Sequence, residues 1–240
     1  MNIKRVERNN GKSFLFPIIA LFSLSISIVF ALVVVGGKET VYYLTQINFT
    51  SDQKTVCIDP GHGGKSSGAQ LGSRYEKDDT LRLSLLVRDA LENRGYTVVM
   101  TRDDDSDVSL NERCKIANKA RSSLFISIHR NSSSSKDATG VEMWVHSLNP
   151  TDDTLLAQNI LDGFDALDVM KNRGIYSGYR DGADLNYYIN RYTKMPSVLA
   201  EIGFISNVED NKKYDENLEQ YAKTIADGIE MTLKEMNGEQ

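Results

Sequence analysis

From Thr55 onward, short apolar runs alternate with stretches of helical periodicity, a pattern that few folds accommodate. Thr55–Asp59 reads as a strand. Asp78, Asp79 and Thr80 offer helix-start chemistry for LRLSLLVRDALENRG, where Leu83, Leu86, Val87, Ala90 and Leu91 share one face and Gly95 ends the element. Tyr96–Thr101 reads as a second strand. Ser109 and Glu112 fit a capping box opening a helix that runs to about Ala120. Leu124–His129, Gly140–His146 and Val198–Gly203 add three strands, with Trp144 expected to be half-buried. Helices are predicted over about 151–168 and from about Leu218 to Met236, and Ser132–Ser135 reads as a loop. The implied class is α/β: a twisted, mainly parallel sheet flanked by helices on both faces, with sites beyond the carboxyl ends of its strands.

Before this domain, Phe14–Val35 contains no charge. At about 1.5 Å per residue the run suffices for a hydrocarbon core of ~30 Å. Lys4, Arg5, Arg8 and Lys12 precede it against Glu7 alone, which keeps residues 1–13 cytoplasmic and exports the chain beyond Gly37. The run exceeds a typical cleaved signal core, and Val33–Gly37 offers no A-x-A site. It is read as an uncleaved membrane-spanning signal-anchor at 14–35, with a linker at 36–54 and one catalytic domain at 55–236. The 240-residue chain carries −5, and because residues 1–37 carry +3 the part beyond them carries −8. That balance sets nucleic acid aside as a partner. Cys57 and Cys114 read as small buried apolar residues rather than as a disulfide.

The glycine-rich stretch DPGHGGKS, Asp59–Ser66, poses a choice between a nucleotide loop and a metal site. A phosphate loop of the form G-x-x-x-x-G-K-[ST] needs glycine where Asp59 stands, and a carboxylate there repels phosphate. Pro60 removes an N–H donor, and no helix pattern comes after Ser66, so no nucleotide is expected. The metal reading rests on His62 and His129, both at the ends of predicted strands on one sheet edge. A catalytic zinc takes three protein ligands, commonly His₂Glu, and keeps a fourth position open. Glu76 is the acidic candidate, with a solvated helix-start carboxylate as the alternative reading. Glu201 lies inside the apolar run VLAEIGF, where it is either half of a buried ion pair or a catalytic base of raised pKa. His146 has no neighbour that suggests coordination.

The runs Val56–Gly64, Tyr75–Asp78, Leu124–His129 and Lys194–Asn207 together resemble the zinc-dependent N-acetylmuramoyl-L-alanine amidases, over about residues 55–236. The resemblance implies His62, Glu76 and His129 as zinc ligands and Glu201 as catalytic acid/base. It also implies a substrate, the amide joining the muramic-acid lactyl group to L-alanine in peptidoglycan. Arg130-Asn131-Ser132 stands where members often have Ala-Asn-Ala, which puts a long side chain beside the metal and bears on substrate choice. A catalytic domain on one anchor resembles the germination-specific amidases that prepare spore cortex, with room for a regulatory protein partner. A vegetative cell-separation amidase and a zinc peptidase acting within stem peptides remain alternatives.

Overall fold

The computed structural model describes residues 55–180 and 185–239 in full, together with the backbone of three N-terminal strands. These are β1 (Ile3–Glu7), β2 (Ile28–Val35) and β3 (Lys38–Thr45), an antiparallel sheet in the order β1-β3-β2 within a unit spanning Met1–Asp52. Of the expected membrane-spanning segment, residues 14–27 lie outside the described ones, and Ile28–Val35 is a strand instead of helix. Ile28, Val29, Val33, Val34 and Val35 are β-branched and suit extended backbone. Lys38–Thr45, read from sequence as linker, pairs with it from Ile28↔Thr45 to Val35↔Lys38. Among the described residues no helix is long and apolar enough to cross a membrane.

The second unit, Gln53–Gln240, is built on one six-stranded sheet. In chain order it runs β4 (Thr55–Pro60), β5 (Gln70–Leu71), β6 (Arg74–Tyr75), α1 (Glu76–Glu92), β7 (Thr97–Met100), α2 (Leu110–Ala120), β8 (Leu124–Asn131) and β9 (Val141–Val145). It continues with α3 (Thr151–Leu167), β10 (Asn172–Ser177), α4 (Tyr188–Tyr192), β11 (Ser197–Phe204), α5 (Val208–Glu216) and α6 (Leu218–Met236). The sheet order is β10-β9-β11-β8-β4-β7, and every neighbouring pair is parallel except β9 with β11. Strand β10, the helices α4 and α5 and the two-residue strands β5 and β6 had no clear signal in the sequence.

Alternation along the strands divides the core in two. Val56, Ile58, Leu124, Ile126 and Ile128 pack against α1, α3 and α6 on one face. Cys57, Phe125 and Leu199 pack against Cys114 and Ala117 of α2 and Ile189 of α4 on the other. The two cysteines are free and buried, as their sequence setting suggested. Trp144 is buried more deeply than expected, at 7% exposure, stacked against Tyr176. Ser109 caps α2 by accepting the Glu112 N–H, whereas α1 starts at Glu76, two residues ahead of the predicted caps.

Asp59, near the end of β4, ties three elements together. Its buried carboxylate accepts from Arg113 of α2 at 2.7 Å, from Thr101 just after β7 at 2.5 Å and from Ser127 of β8 at 2.6 Å. Arg113 also donates to the carbonyls of Pro60 and His62, and Arg102 to those of Pro60 and Gly61. Two buried guanidiniums thus fasten the backbone of the glycine loop. Asp59→Ala leaves Arg113 charged and unmatched in the interior, at an expected cost of about 3–5 kcal/mol. In a domain of this size that lowers Tm by roughly 10 °C, measured by thermal unfolding. Asp105→Ala, which removes an exposed carboxylate that pairs with Lys77 and accepts the Gly64 N–H, should lower Tm far less.

Candidate active site

Three of the residues singled out from the sequence converge at the carboxyl ends of β4 and β8. His62 lies just beyond β4 in the left-handed region, φ 61°, a conformation histidine adopts more readily than most residues. Its Nδ1 lies 2.9 Å from Ser66 Oγ, which leaves Nε2 facing the site, 3.3 Å from Glu76 Oε2. His129, near the end of β8, brings Nδ1 to 2.9 Å from Glu76 Oε1. The two imidazoles meet edge to face, with centroids 5.0 Å apart.

Glu76 is neither solvated nor loosely held. The small β5–β6 hairpin delivers it as the first residue of α1, at 4% exposure. Its Oε2 accepts the Ala69 N–H at 2.8 Å and its Oε1 the Arg130 N–H at 3.0 Å. Burial pushes its carboxyl up, but the contacts with His129 and His62 outweigh that and hold it well below the usual carboxylate range. Gly61 and Gly68 make room for this arrangement. A Cβ on Gly61 would land on the His129 ring, and one on Gly68, at φ +69°, would meet Glu76 Oε2 and His62 Cδ2 within 2.7 Å.

These residues fit a metal ion. One donor atom from each of His62, Glu76 and His129 lies within 4.8 Å of the others. A tetrahedral zinc with bonds of about 2.0–2.2 Å sets its ligand atoms roughly 3.4 Å apart, so small movements suffice. Two imidazoles and one carboxylate are the donor set of a catalytic zinc site, with the Ser66 hydroxyl as an outer partner for His62.

Glu201, on β11, stands in register with His129 of β8 on one side and with Glu142 of β9 on the other. It is 8% exposed, and its Oε2 is buried with no hydrogen-bond partner. Among the described residues it forms no ion pair, so the buried-ion-pair reading has no support in the geometry. Burial, and after it the charge of Glu76, pushes its carboxyl well above the ordinary value, only partly opposed by Arg180. Glu142 has the opposite environment. It accepts from Arg173 at 2.6 Å, Asn131 at 2.7 Å and Trp144 at 3.1 Å, with Arg180 at 3.4 Å. One carboxylate is saturated and its cross-strand neighbour is bare, a division typical of acid–base sites.

The four residues line a cleft of about 710 Å³ that Tyr179, Arg180, Tyr187 and Tyr188 also line. Glu142, Arg180 and these tyrosines were not picked out from the sequence. Glu142 carried the same signal as Glu201, an ionisable side chain within an apolar strand. Arg180, in the stretch GYRDG, carried none. Arg130 corrects an expectation. Its side chain turns away from the cleft and is fully buried, paired with Asp79, donating to Asn211 at 2.7 Å and lying 4.0 Å over the Tyr214 ring. Only its backbone N–H serves the site. His146 stands apart, its Nδ1 accepting the Leu148 N–H.

Residues 56–231 match the family described as N-acetylmuramoyl-L-alanine amidase. The probable cell wall amidase LytH of Staphylococcus aureus is 34% identical over 184 residues, 74% of this chain, which spans 58% of LytH. The amidase AmiC2 of Nostoc punctiforme superposes with TM-score 0.68 at 36% identity, covering 76% of this chain and 98% of that one. CwlD of Clostridioides difficile, solved in complex with the GerS lipoprotein, gives TM-score 0.67 at 29% identity over 75% and 98%.

The bare carboxyl of Glu201 should make stability depend on pH. Folded, it binds its proton more tightly than unfolded, so between the ordinary value of 4.5 and the raised one the folded state holds more protons. Stability contributed by this group is therefore present below that window and falls as pH rises through it. In chelator-treated protein near pH 8, Glu201→Gln is expected to unfold at a higher temperature than the parent, and the difference should vanish near pH 4. A lower Tm for the variant at pH 8 would contradict the assignment of a bare, buried carboxyl.

Proposed function

The chain belongs to the N-acetylmuramoyl-L-alanine amidase family, and on that premise we propose zinc-dependent hydrolysis in which His62, Glu76 and His129 hold the ion and Glu201 moves the proton. The bond cleaved is the amide between the lactyl carbonyl of muramic acid and the nitrogen of L-alanine in peptidoglycan. The observation that carries the reading is a bare carboxyl of raised pKa in register with His129, beside a three-donor cluster at the head of one cleft.

Zinc bound by these donors supplies Lewis acidity, lowering the pKa of water and polarising a carbonyl. The chain itself must handle a proton twice. Glu201 Oε2, buried and free of other partners, accepts the proton of the water that attacks the lactyl carbonyl carbon. It then gives that proton to the alanine nitrogen as the C–N bond breaks, yielding a free lactyl carboxylate and a peptide with a free amino terminus. The raised pKa suits both halves, since a carboxylate of ordinary strength would be a poor acid toward an amine. Glu142, already saturated by Arg173, Asn131 and Trp144, is suited to holding the neighbouring strand ends rather than to carrying the proton.

The setting is also proposed. The sequence resemblance to germination-specific amidases motivates action on spore cortex, and the GerS lipoprotein bound to CwlD supports a protein partner for this chain as well. Likeness to LytH, described as a probable cell wall amidase, favours the vegetative alternative. Either substrate lies outside the cytoplasmic membrane, and the basic flank of Lys4, Arg5, Arg8 and Lys12 ahead of an apolar, charge-free stretch supports export. Digestion of cortex and vegetative sacculi side by side, with released peptide quantified, separates the two settings.

Purified protein should carry one zinc per chain. Mass spectrometry of digested muropeptides should show intact stem peptides beginning with a free alanine amine and muramic acid without a peptide; cuts inside the stem would instead make this a peptidase. His129→Ala should lose both metal and activity, because two remaining ligands hold zinc weakly. Glu201→Gln should keep its zinc while turnover drops about 10²–10⁴-fold. Full activity in that variant would remove Glu201 from the mechanism.

A further inference from the structure

Among the described residues that line the cleft, the cations are Arg113, Arg130 and Arg180. The first two are committed inside the protein, Arg113 to Asp59 and the loop carbonyls, Arg130 to Asp79, Asn211 and the Tyr214 ring. Arg180 is different. Its side chain is 44% exposed, and its Nη2 donates to Asn131 Oδ1 at 2.6 Å and approaches Glu142 Oε1 at 3.4 Å. Its Nη1 and Nε donate to no group among the described residues. Nor does Glu142 depend on it, since Arg173, Asn131 and Trp144 sit closer. A half-exposed guanidinium with an unused edge in a catalytic cleft is built to receive an anion.

The position of Arg180 says which anion. Glu142 stands directly opposite Glu201 across the β9–β11 pair, so the guanidinium lies about one side chain away from the proton-transfer position. In the stem peptide, L-alanine comes directly after the scissile amide and is itself succeeded by D-glutamate linked through its side-chain carboxyl. The α-carboxyl of that glutamate is either free or amidated. It lies within about two residues of the cleaved bond, some 7 Å in an extended chain. The sugar side of the bond offers only neutral N-acetylated rings.

We propose that Arg180 binds the free α-carboxylate of the second stem residue and so makes the enzyme select acidic stems over amidated ones. This rests on the amidase reading and adds the residue that chooses between substrates. A guanidinium pairs with a carboxylate through two charge-assisted hydrogen bonds, whereas a primary amide presents one acceptor and sets its own N–H groups against the donors. Losing such a pair at a half-exposed site corresponds to roughly a 10–100-fold preference in kcat/KM.

The test uses the full chain and two uncrosslinked glycan–peptide polymers that differ only in carrying D-isoglutamate or D-isoglutamine at the second position. Release of alanine amino termini gives kcat/KM for each. The parent should favour the acidic polymer by roughly 10–100-fold, and Arg180→Ala should bring the ratio close to one. Because the ratio is taken on a single preparation, partial misfolding or metal loss cancels. Should Arg180→Ala be too slow to measure, Arg180→Lys decides, since a single ammonium cannot reproduce the fork and the ratio should fall. A parent that cleaves both polymers equally, or a variant with the parental ratio, overturns the proposal while leaving the amidase reading intact. A parent that cleaves neither polymer defeats the amidase reading itself.

Discussion

Everything at the cleft depends on one buried carboxylate that never meets solvent. Asp59 anchors the end of β4 to β8 through Ser127, to the end of β7 through Thr101 and to α2 through Arg113. The glycine loop then leaves the sheet at a fixed point, with its carbonyls held by Arg113 and Arg102. Backbone carbonyls in a tight loop would otherwise need water as partners, and water-filled loops do not hold an imidazole to within a few tenths of an ångström. The left-handed turn at His62 is tolerable because this frame determines it from several sides. The same residue that excludes a phosphate from the loop is thus the one that makes it rigid.

Glu76 shows how a helix start can be put to use. Two backbone N–H groups, from Ala69 and Arg130, grip its two oxygens and aim them at two histidines, one just beyond β4 and one near the end of β8. Its own helix has no side-chain cap at Tyr75. Opposite it, Glu201 is left without partners on a strand whose eight residues are all buried. The two carboxylates occupy one cleft and are driven apart in acidity: burial and then the charge of Glu76 raise Glu201, whereas the contacts of Glu76 with His129 and His62 outweigh its own burial and lower it.

Much of this was legible in the sequence, and the gaps have physical causes. Strands β4, β8 and β11 declared themselves by short apolar runs, which located His62 and His129 at two strand ends and Glu201 inside the third strand. Strand direction is not written in periodicity, so the reversal at β9 could be seen only in the fold. Arg130 was misjudged for a simpler reason: successive residues of a strand face opposite ways, and His129 had already claimed the site's face. Short elements such as α4 and β10 are held by their surroundings, Asn190 to the Trp144 carbonyl and β10 to β9, rather than by any pattern of their own. At the amino terminus an apolar run rich in β-branched residues satisfied the length rule for a membrane helix, yet its last third pairs as a strand.

The antiparallel junction between β11 and β9 divides the cleft by origin. The three clustered donors come from just beyond β4, from the start of α1 and from β8, and the bare carboxyl from β11, in the part of the domain built on the parallel strands β4, β8 and β11. Arg173, Arg180 and Tyr179 come from β10 and the chain just past it, beyond the junction. Insertions or exchanges in that outer segment can therefore reshape the wall of the cleft without touching the three clustered donors or Glu201. On the proposed assignment the groups that handle the bond and the one that selects the stem sit on separate pieces of chain, so that exchanging residues 172–180 between relatives becomes a rational way to alter which stem peptides are accepted.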